Sequence, residues 1–239
     1  MTDRPAWSFR VALLDPHPPK AVHGWTVTTL FEDTLSDGWP LRCHVSDLAA
    51  GHVPHEPHCH GQAELIVPLS GVLEILCGTD CAGRSARSGD VVVHPSGCTH
   101  TLRAPTDGPA RYVVLRWGAP DLPQATHGTS RIASAGEDAA APAGPGWQRN
   151  VLIGAEGPGV RVHRSTMGAG SGYGWHRDDH DLALILTTGS VEVLSRHLDA
   201  PAVVFVRAGT PHGLRVLADG PAAWTVAEFH TAPTTGAPA

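Results

Sequence analysis

Two stretches of the sequence decide the fold: HCHGQAE at residues 58–64 and GDVVVHPSGCTH at residues 89–100. On an extended strand the side chains alternate between the two faces. His58, His60 and Glu64 have the same parity, so an extended backbone would point all three side chains to one side. The first stretch therefore predicts three donor groups on one face of a strand.

The second stretch supplies a fourth donor. His100 follows a Pro-x-Gly turn, and such a turn can fold the next strand back across the first one. We therefore predict that three imidazoles and one carboxylate converge inside a β-structure. This mixed nitrogen and oxygen shell suits one divalent transition metal, Fe(II), Mn(II), Ni(II), Cu(II) or Zn(II), and leaves positions open for water or substrate.

The rest of the chain is also strand-like. Short apolar runs, rich in β-branched and aromatic residues, alternate with Gly, Pro, Asp or Ser. No stretch carries a helical period of useful length. The runs are AELIVPL, GVLEIL, DVVVH and RYVVLRW in the first half, and DLALILTT, SVEVLS, AVVFV and AAWTVAEF in the second. This pattern predicts an all-β protein.

The two halves repeat each other. Residues 42–51 match residues 161–170 at five of ten positions, and GVLEIL at 71–76 matches GSVEVL at 189–194. The two offsets, 119 and 118, agree with each other, so duplication explains them better than coincidence.

Duplication predicts two tandem antiparallel barrels joined by a Pro- and Gly-rich segment. The predicted division is an N-terminal extension at 1–20, a metal-binding barrel at 21–118, a linker at 119–146, a second barrel at 147–232 and a tail at 233–239. We expect the extension and the tail to be loose or to lie over the barrels.

Composition excludes several classes of function. The 239 residues carry a net charge of −6, which gives no electrostatic basis for direct binding to nucleic acid. No window approaches 18 apolar residues, so no membrane span is expected. The N-terminus lacks the apolar run of a signal peptide, and the five cysteines cannot all pair, so we expect a cytoplasmic protein.

The two stretches around the donors resemble the two motifs of the cupin superfamily. Gly71 closes the first motif, and Gly51 opens it with one extra residue before His58. The second motif fits as far as His100, whereas Ala104 stands in place of the family's Asn, which is not a usual metal ligand. The resemblance implies two double-stranded β-helix barrels of jelly-roll type, with a metal on His58, His60, Glu64 and His100.

The second half departs from these motifs. His176 and Asp178 stand at the places of His58 and His60, but Leu182 replaces Glu64. His212 keeps the last histidine of the second motif. His176, Asp178 and His212 are therefore a candidate second metal site, and His180 shares their parity. The loss of the Glu favours a second barrel that binds no metal and has a structural role only.

Three further residues are candidates for the wall of the substrate pocket. Gln62 shares the parity of the metal ligands, and Arg42 and Arg103 could reach the mouth of the barrel or simply cover its outside. Lone histidines such as His55 and His94 are better interpreted as solvated or core-edge residues than as ligands.

The resemblance leaves several functions open, because the same barrel hosts many chemistries. We favour a metal-dependent enzyme acting on a small organic molecule, with dioxygenase chemistry slightly preferred to that of an isomerase or lyase of a small carbonyl compound. The alternative is a non-catalytic sensor barrel, similar to the ligand domain of arabinose-regulator-type transcription factors. Exposed edge strands make a homodimer plausible.

Overall fold

The computed structural model describes residues 8–15, 24–76, 83–118, 130–134, 141–144, 146–154 and 159–230. Strands dominate these residues, and no α-helix occurs among them. In this part of the chain there is accordingly no helix long and apolar enough to span a membrane.

The chain divides into two compact units, one of which comprises His17–Thr34 and Gly38–Ser134. Its strands are β2 (Trp25–Thr34), β3 (Pro40–Leu48), β4 (Ala63–Ser70), β5 (Val72–Ile75), β6 (Arg84–Arg87), β7 (Asp90–His94), β8 (Leu102–Arg103), β9 (Ala110–Trp117) and β10 (Arg131–Ser134). They form a six-stranded sheet in the order β10-β7-β4-β9-β3-β2 and a three-stranded sheet in the order β6-β5-β8. We call this unit barrel 1.

The second unit, barrel 2, comprises Met1–Pro16, Leu35–Asp37 and Ala135–Ala239. Its strands are β1 (Phe9–Leu13), β11 (Ala141–Gly144), β12 (Trp147–Ile153), β13 (Gly159–Met167), β14 (Gly172–His176), β15 (Asp181–Thr188), β16 (Ser190–Val193), β17 (Arg196–Asp199), β18 (Ala202–Val206), β19 (His212–Val216) and β20 (Ala222–His230). The sheets run β1-β18-β15-β20-β13-β12-β11 and β14-β19-β16-β17.

The two units use the same antiparallel scheme, which confirms the predicted all-β fold of two tandem barrels. In barrel 1, β9 lies between β3 and β4, and in barrel 2, β20 lies between β13 and β15. The register is equivalent as well, since Arg116 on β9 faces Arg42 while Glu228 on β20 faces Arg161. This equivalence allows each position of one barrel to be compared with its counterpart in the other.

Each barrel has its own apolar core. In barrel 1, Ile66, Leu73 and Val114 are among the buried residues, and in barrel 2 the core surrounds Trp224, which is 1% exposed. Alternate residues of several strands belong to these cores, for example Leu182, Leu184 and Leu186 of β15, as expected for side chains on one face of a strand.

The glycine that closes the first motif has a steric role. Gly71 has φ +74, in the left-handed region, and a Cβ placed on it would lie 2.1 Å from the carbonyl oxygen of Pro109. Gly189 repeats this arrangement in barrel 2, with φ +79 and a distance of 2.5 Å to the oxygen of Pro221. Only glycine allows these close backbone approaches.

Two segments are more ordered than the sequence indicates. β1, in the expected N-terminal extension, pairs antiparallel with β18, so these residues add an edge strand to barrel 2. In the expected linker, β10 pairs with β7 and β11 pairs with β12. Backbone pairing explains both, because an exposed sheet edge accepts a strand of little sequence character. The predicted tail at 233–239 lies outside the described residues.

Candidate metal centre

The histidines of the two motifs meet inside barrel 1. His58 and His100 pair through their backbones, with N–H to oxygen distances of 3.2 and 2.9 Å in the two directions. The ring centroids of His58, His60 and His100 lie 4.7–5.5 Å apart, and one ligand atom of each lies within 4.8 Å of the others. This antiparallel bridge places His100 of the second motif beside His58 of the first, as the Pro-x-Gly turn predicts.

Two of the three rings are held in one tautomer. The Nδ1–H of His60 donates to the carbonyl oxygen of Gln62 at 2.8 Å, and the Nδ1–H of His100 donates to that of Cys98 at 2.8 Å. A neutral imidazole with its proton on Nδ1 carries its lone pair on Nε2. Both Nε2 atoms are buried without a hydrogen-bond partner. Such unpartnered acceptors, oriented by a bond from the other ring nitrogen, are typical of metal ligands.

Glu64 adds its carboxylate to this group. Its two oxygens lie 3.6 Å from Nε2 of His60 and 3.7 Å from Nε2 of His100. Neighbouring donors on one metal with bonds of about 2.1 Å would lie roughly 3.0–3.4 Å apart. The two Glu64–histidine distances exceed this range by only a few tenths of an ångström, and the ligand atoms of the three histidines lie within 4.8 Å of one another. The donor types and their grouping therefore fit a divalent transition metal around which the side chains contract.

The site favours neutral histidines and an ionised carboxylate, which is the state that metal binding requires. Burial and the neighbouring imidazoles of His55, His100 and His60 lower the pKa of His58 to about 4. Burial by itself raises the pKa of Glu64, but the interaction with His60 and the charge of Arg116 outweigh it and hold that pKa far below its usual range.

Arg116 is a site residue that the sequence analysis missed. It directly faces Glu64 across β4 and β9, and its Nη2 and Nε donate to Oε2 of Glu64 at 2.7 and 3.1 Å. The guanidinium thus fixes the orientation of the carboxylate and offsets its charge. Only the register between two strands 52 residues apart places these groups together.

His94 is also more than a core-edge residue. It is 1% exposed and stacks on His100, with ring centroids 4.4 Å apart and planes 13° apart. Its Nδ1 lies 2.6 Å from the hydroxyl of Ser130. The stacked His94 ring therefore packs against one face of the His100 ring and fixes its orientation.

A cavity of about 350 Å³ opens onto the donors of barrel 1. Its walls combine apolar side chains, such as Trp25 and Ile66, with the polar groups of His44, His55 and Tyr112. Arg42 lines it, as the sequence analysis expected. Among the described lining residues neither Gln62 nor Arg103 occurs.

Both absences have a physical reason. The amide of Gln62 donates to the carbonyl oxygen of Gly118 at 3.4 Å. Arg103 faces Glu74 across β8 and β5, and its Nε donates to the Glu74 carboxylate at 2.9 Å on the outer surface. Gln62 is therefore not among the described residues that line this cavity, and Arg103 takes the second of its two predicted positions, on the outside of the barrel.

Barrel 2 brings its three candidate ligands together. Oδ2 of Asp178 lies 3.6 Å from Nε2 of His176 and 3.2 Å from Nε2 of His212. The Nδ1 atoms of the two histidines bond to the carbonyl oxygens of Gly174 and Thr210 at 3.1 and 2.9 Å, so their Nε2 atoms also carry the lone pairs. The set has three donors rather than four, and the His176 side chain is 43% exposed.

The cavity of barrel 2 is the larger one, at about 500 Å³. Trp147 and Tyr173 stack on one wall with centroids 5.4 Å apart, and Trp175 is exposed. Leu182 and Glu228 also line it. This barrel therefore keeps an open, aromatic cavity above its donor set.

Comparison with known proteins agrees with this architecture. A sequence model of the cupin domain family matches residues 44–116, within barrel 1. No curated protein sequence matches the chain significantly.

Solved structures resemble the whole fold. AerE from Microcystis aeruginosa aligns with a TM-score of 0.68 at 14% identity, covering 92% of this chain and 99% of its own. The coconut allergen cocosin gives 0.71 at 10% identity, covering 93% and 86%. Salicylate 1,2-dioxygenase from Pseudoaminobacter salicylatoxidans, solved with gentisate, gives 0.57 at 14% identity, covering 79% and 68%. At these identities the likeness concerns the fold. Barrel 1 therefore contains a domain of the cupin family at residues 44–116, and the chain as a whole has a cupin-type fold of two barrels.

Proposed function

We propose that barrel 1 is the active site of a metal-dependent enzyme that acts on a small organic molecule. The observation that carries this proposal is the pair of buried, unpartnered Nε2 atoms on His60 and His100, which face the Glu64 carboxylate. A purely structural barrel gains nothing from such groups, because an unsatisfied buried polar atom costs about 1–3 kcal/mol.

His58, His60, Glu64 and His100 would hold the metal. A divalent transition metal in this shell would supply open coordination positions at which oxygen atoms of a substrate, or O2, are activated. Its identity is left to measurement, since the donor set suits Fe(II), Mn(II), Ni(II), Cu(II) and Zn(II) alike.

The cavity walls supply the binding groups. Burial lowers the pKa of His44 to about 4, so this ring is neutral near pH 7. Its Nδ1 is buried without a hydrogen-bond partner and can bond to a polar atom of the substrate. Arg42 lines the same cavity, and its guanidinium pairs with Glu32 at 3.5 Å and donates to Thr29 at 3.0 Å. A substrate carboxylate could replace Glu32 as its partner.

Dioxygenase chemistry is our preferred reaction class. The cavity joins apolar walls to an imidazole and a guanidinium, which suits a hydroxylated aromatic acid. The likeness to a salicylate 1,2-dioxygenase supports the same class by analogy only.

The test is oxygen uptake by the metal-loaded protein with salicylate, gentisate and related aromatic acids. We expect consumption of O2 that His44→Gln weakens chiefly through KM and that His197→Ala, a change on the surface of barrel 2, leaves unchanged. Turnover of a small carbonyl compound without O2 uptake would establish the isomerase or lyase alternative. Tight ligand binding with no turnover of either kind would establish a sensor.

A further inference from the structure

The cavity of barrel 2 carries a second group of donors away from the motif positions. His180, Glu228 and His230 each offer one ligand atom, and these atoms lie within 4.8 Å of one another. The rings of His180 and His230 lie 4.4 Å apart, tilted by 38°. The cluster combines the end of β20 with the residue that precedes β15.

The register of the two strands explains why these residues meet. Asp181 on β15 faces Phe229 on β20, and Leu182 faces Glu228. One position further out, this register would place His180 opposite His230, and their rings do lie 4.4 Å apart. Directly opposed side chains have Cβ atoms about 4.5–5.5 Å apart, a separation that two imidazoles can bridge through one ion.

The same positions in barrel 1 hold different groups. There Gln62 bonds to Gly118, and Glu64 faces Arg116. In barrel 2 the carboxylate has moved across the strand pair: Leu182 takes the place of Glu64, and Glu228 that of Arg116. Histidines have replaced both members of the outer pair, so barrel 2 has not simply lost a ligand.

Neighbouring groups orient these donors. Oδ1 of Asp179, on a fully exposed side chain, lies 3.1 Å from Nδ1 of His180; a proton on Nδ1 would leave the Nε2 lone pair available. Carboxylate–histidine pairs of this kind commonly support metal ligands. The cluster therefore has a supporting shell on its histidine side.

The two oxygens of Glu228 have separate partners. Oε1 accepts from Nη2 of Arg149 at 2.9 Å and lies 3.3 Å from Nδ1 of His163. Oε2 lies 3.1 Å from Nε2 of His230. Arg161 approaches Oε2 only to 3.7 Å, and its side chain is 39% exposed, so it can turn into solvent. Oε2 is thus the oxygen that faces His230.

We propose that His180, Glu228 and His230 form a binding site for a divalent transition metal in barrel 2, separate from His176, Asp178 and His212. Two imidazoles and one carboxylate favour Zn(II), Co(II), Ni(II) or Cu(II) over Mg(II) and Ca(II), which prefer oxygen ligands. The ion replaces the proton that His230 shares with Glu228. Three protein donors leave coordination positions open toward the cavity. They also bind metal less tightly than four, so we expect the site to fill when metal is added to the protein.

Zinc binding tests the stoichiometry. In equilibrium dialysis against micromolar Zn(II), His180→Ala and His230→Ala should each bind one equivalent less than the parent. His197→Ala is the matched control, because His197 forms an exposed pair with Asp199 at 3.1 Å outside the cluster. Its zinc content should equal that of the parent. The double variant His212→Ala/His230→Ala should lose more zinc than either single variant.

Cobalt binding tests the location. His230→Cys should produce a thiolate-to-Co(II) charge-transfer band that is absent from the parent and from His197→Cys. Far-UV circular dichroism confirms that the variants are folded. Parent-like zinc content in both alanine variants, or a band of equal strength in His197→Cys, overturns the proposal.

Discussion

The ion pair between Arg116 and Glu64 gives the sharpest prediction. Glu64 is 5% exposed, and Arg116 donates to it at 2.7 and 3.1 Å. In Arg116→Leu the metal-free protein keeps a buried carboxylate with no guanidinium partner. Breaking a buried pair in this way costs about 3–5 kcal/mol of folding free energy.

Metal should reduce that cost. A cation bound at Glu64 compensates the carboxylate. Both Arg116 donors share one oxygen, Oε2, so the loss of Arg116 then removes a single charge-assisted contact worth roughly 1.5–3 kcal/mol. Thermodynamic linkage requires the difference, about 2 kcal/mol, to reappear as metal affinity, so Arg116→Leu should bind metal roughly 30-fold more tightly.

Urea unfolding of stripped and metal-saturated protein, with a metal titration, measures both quantities. The matched control is Arg103→Leu, because Arg103 and Glu74 form a similar cross-strand pair in a more exposed place. There we expect about 0–1 kcal/mol, independent of metal. If Arg116→Leu costs the same with and without metal, Glu64 is not a ligand and the four-donor site is wrong.

Three further predictions follow from other parts of the molecule. Gly71 and Gly83 both have positive φ, so an alanine at either position should cost about 1–2 kcal/mol for its backbone conformation. Only Gly71 also abuts the Pro109 carbonyl, so in thermal unfolding Gly71→Ala should destabilise barrel 1 by at least about 2 kcal/mol more than Gly83→Ala. Burial opposes ionisation of Glu228, but His163 and His230 outweigh it and lower its pKa from 4.5 to about 2. The ionised Glu228 carboxylate should therefore stabilise the protein fully above pH 4.5, and this stabilisation should vanish toward pH 2. The difference in unfolding free energy between the parent and Glu228→Gln should shrink over this range; a constant difference would refute the prediction. Trp224→Ala should cost about 3–5 kcal/mol in barrel 2, whereas the exposed Trp175→Ala should cost little, which calorimetry of the two variants compares.

The sequence predicted the parts of the site that depend on local spacing. His58, His60 and His100 belong to two short motifs, and the parity of an extended backbone with one turn suffices to bring them together. The repeat at offsets of 118 and 119 likewise indicated the second barrel.

Residues that meet only through strand register could not be predicted. Arg116 reaches Glu64 because β9 lies beside β4 in one register, and a shift of one residue would turn it to the other face. His180 and His230 meet for the same reason. β1 pairs with β18, nearly 200 residues away, and nothing in FRVAL identifies that partner.

Metal counting on three proteins tests the central claim most directly. Elemental analysis should compare the untagged parent, His100→Ala and His212→Ala, all as purified from the native host. We predict about one transition metal per chain in the parent, loss of most of it in His100→Ala and near-full retention in His212→Ala, because barrel 1 offers four donors and the His212 site only three. A parent without metal, or equal losses in the two variants, would contradict the assignment of barrel 1 as the principal metal centre.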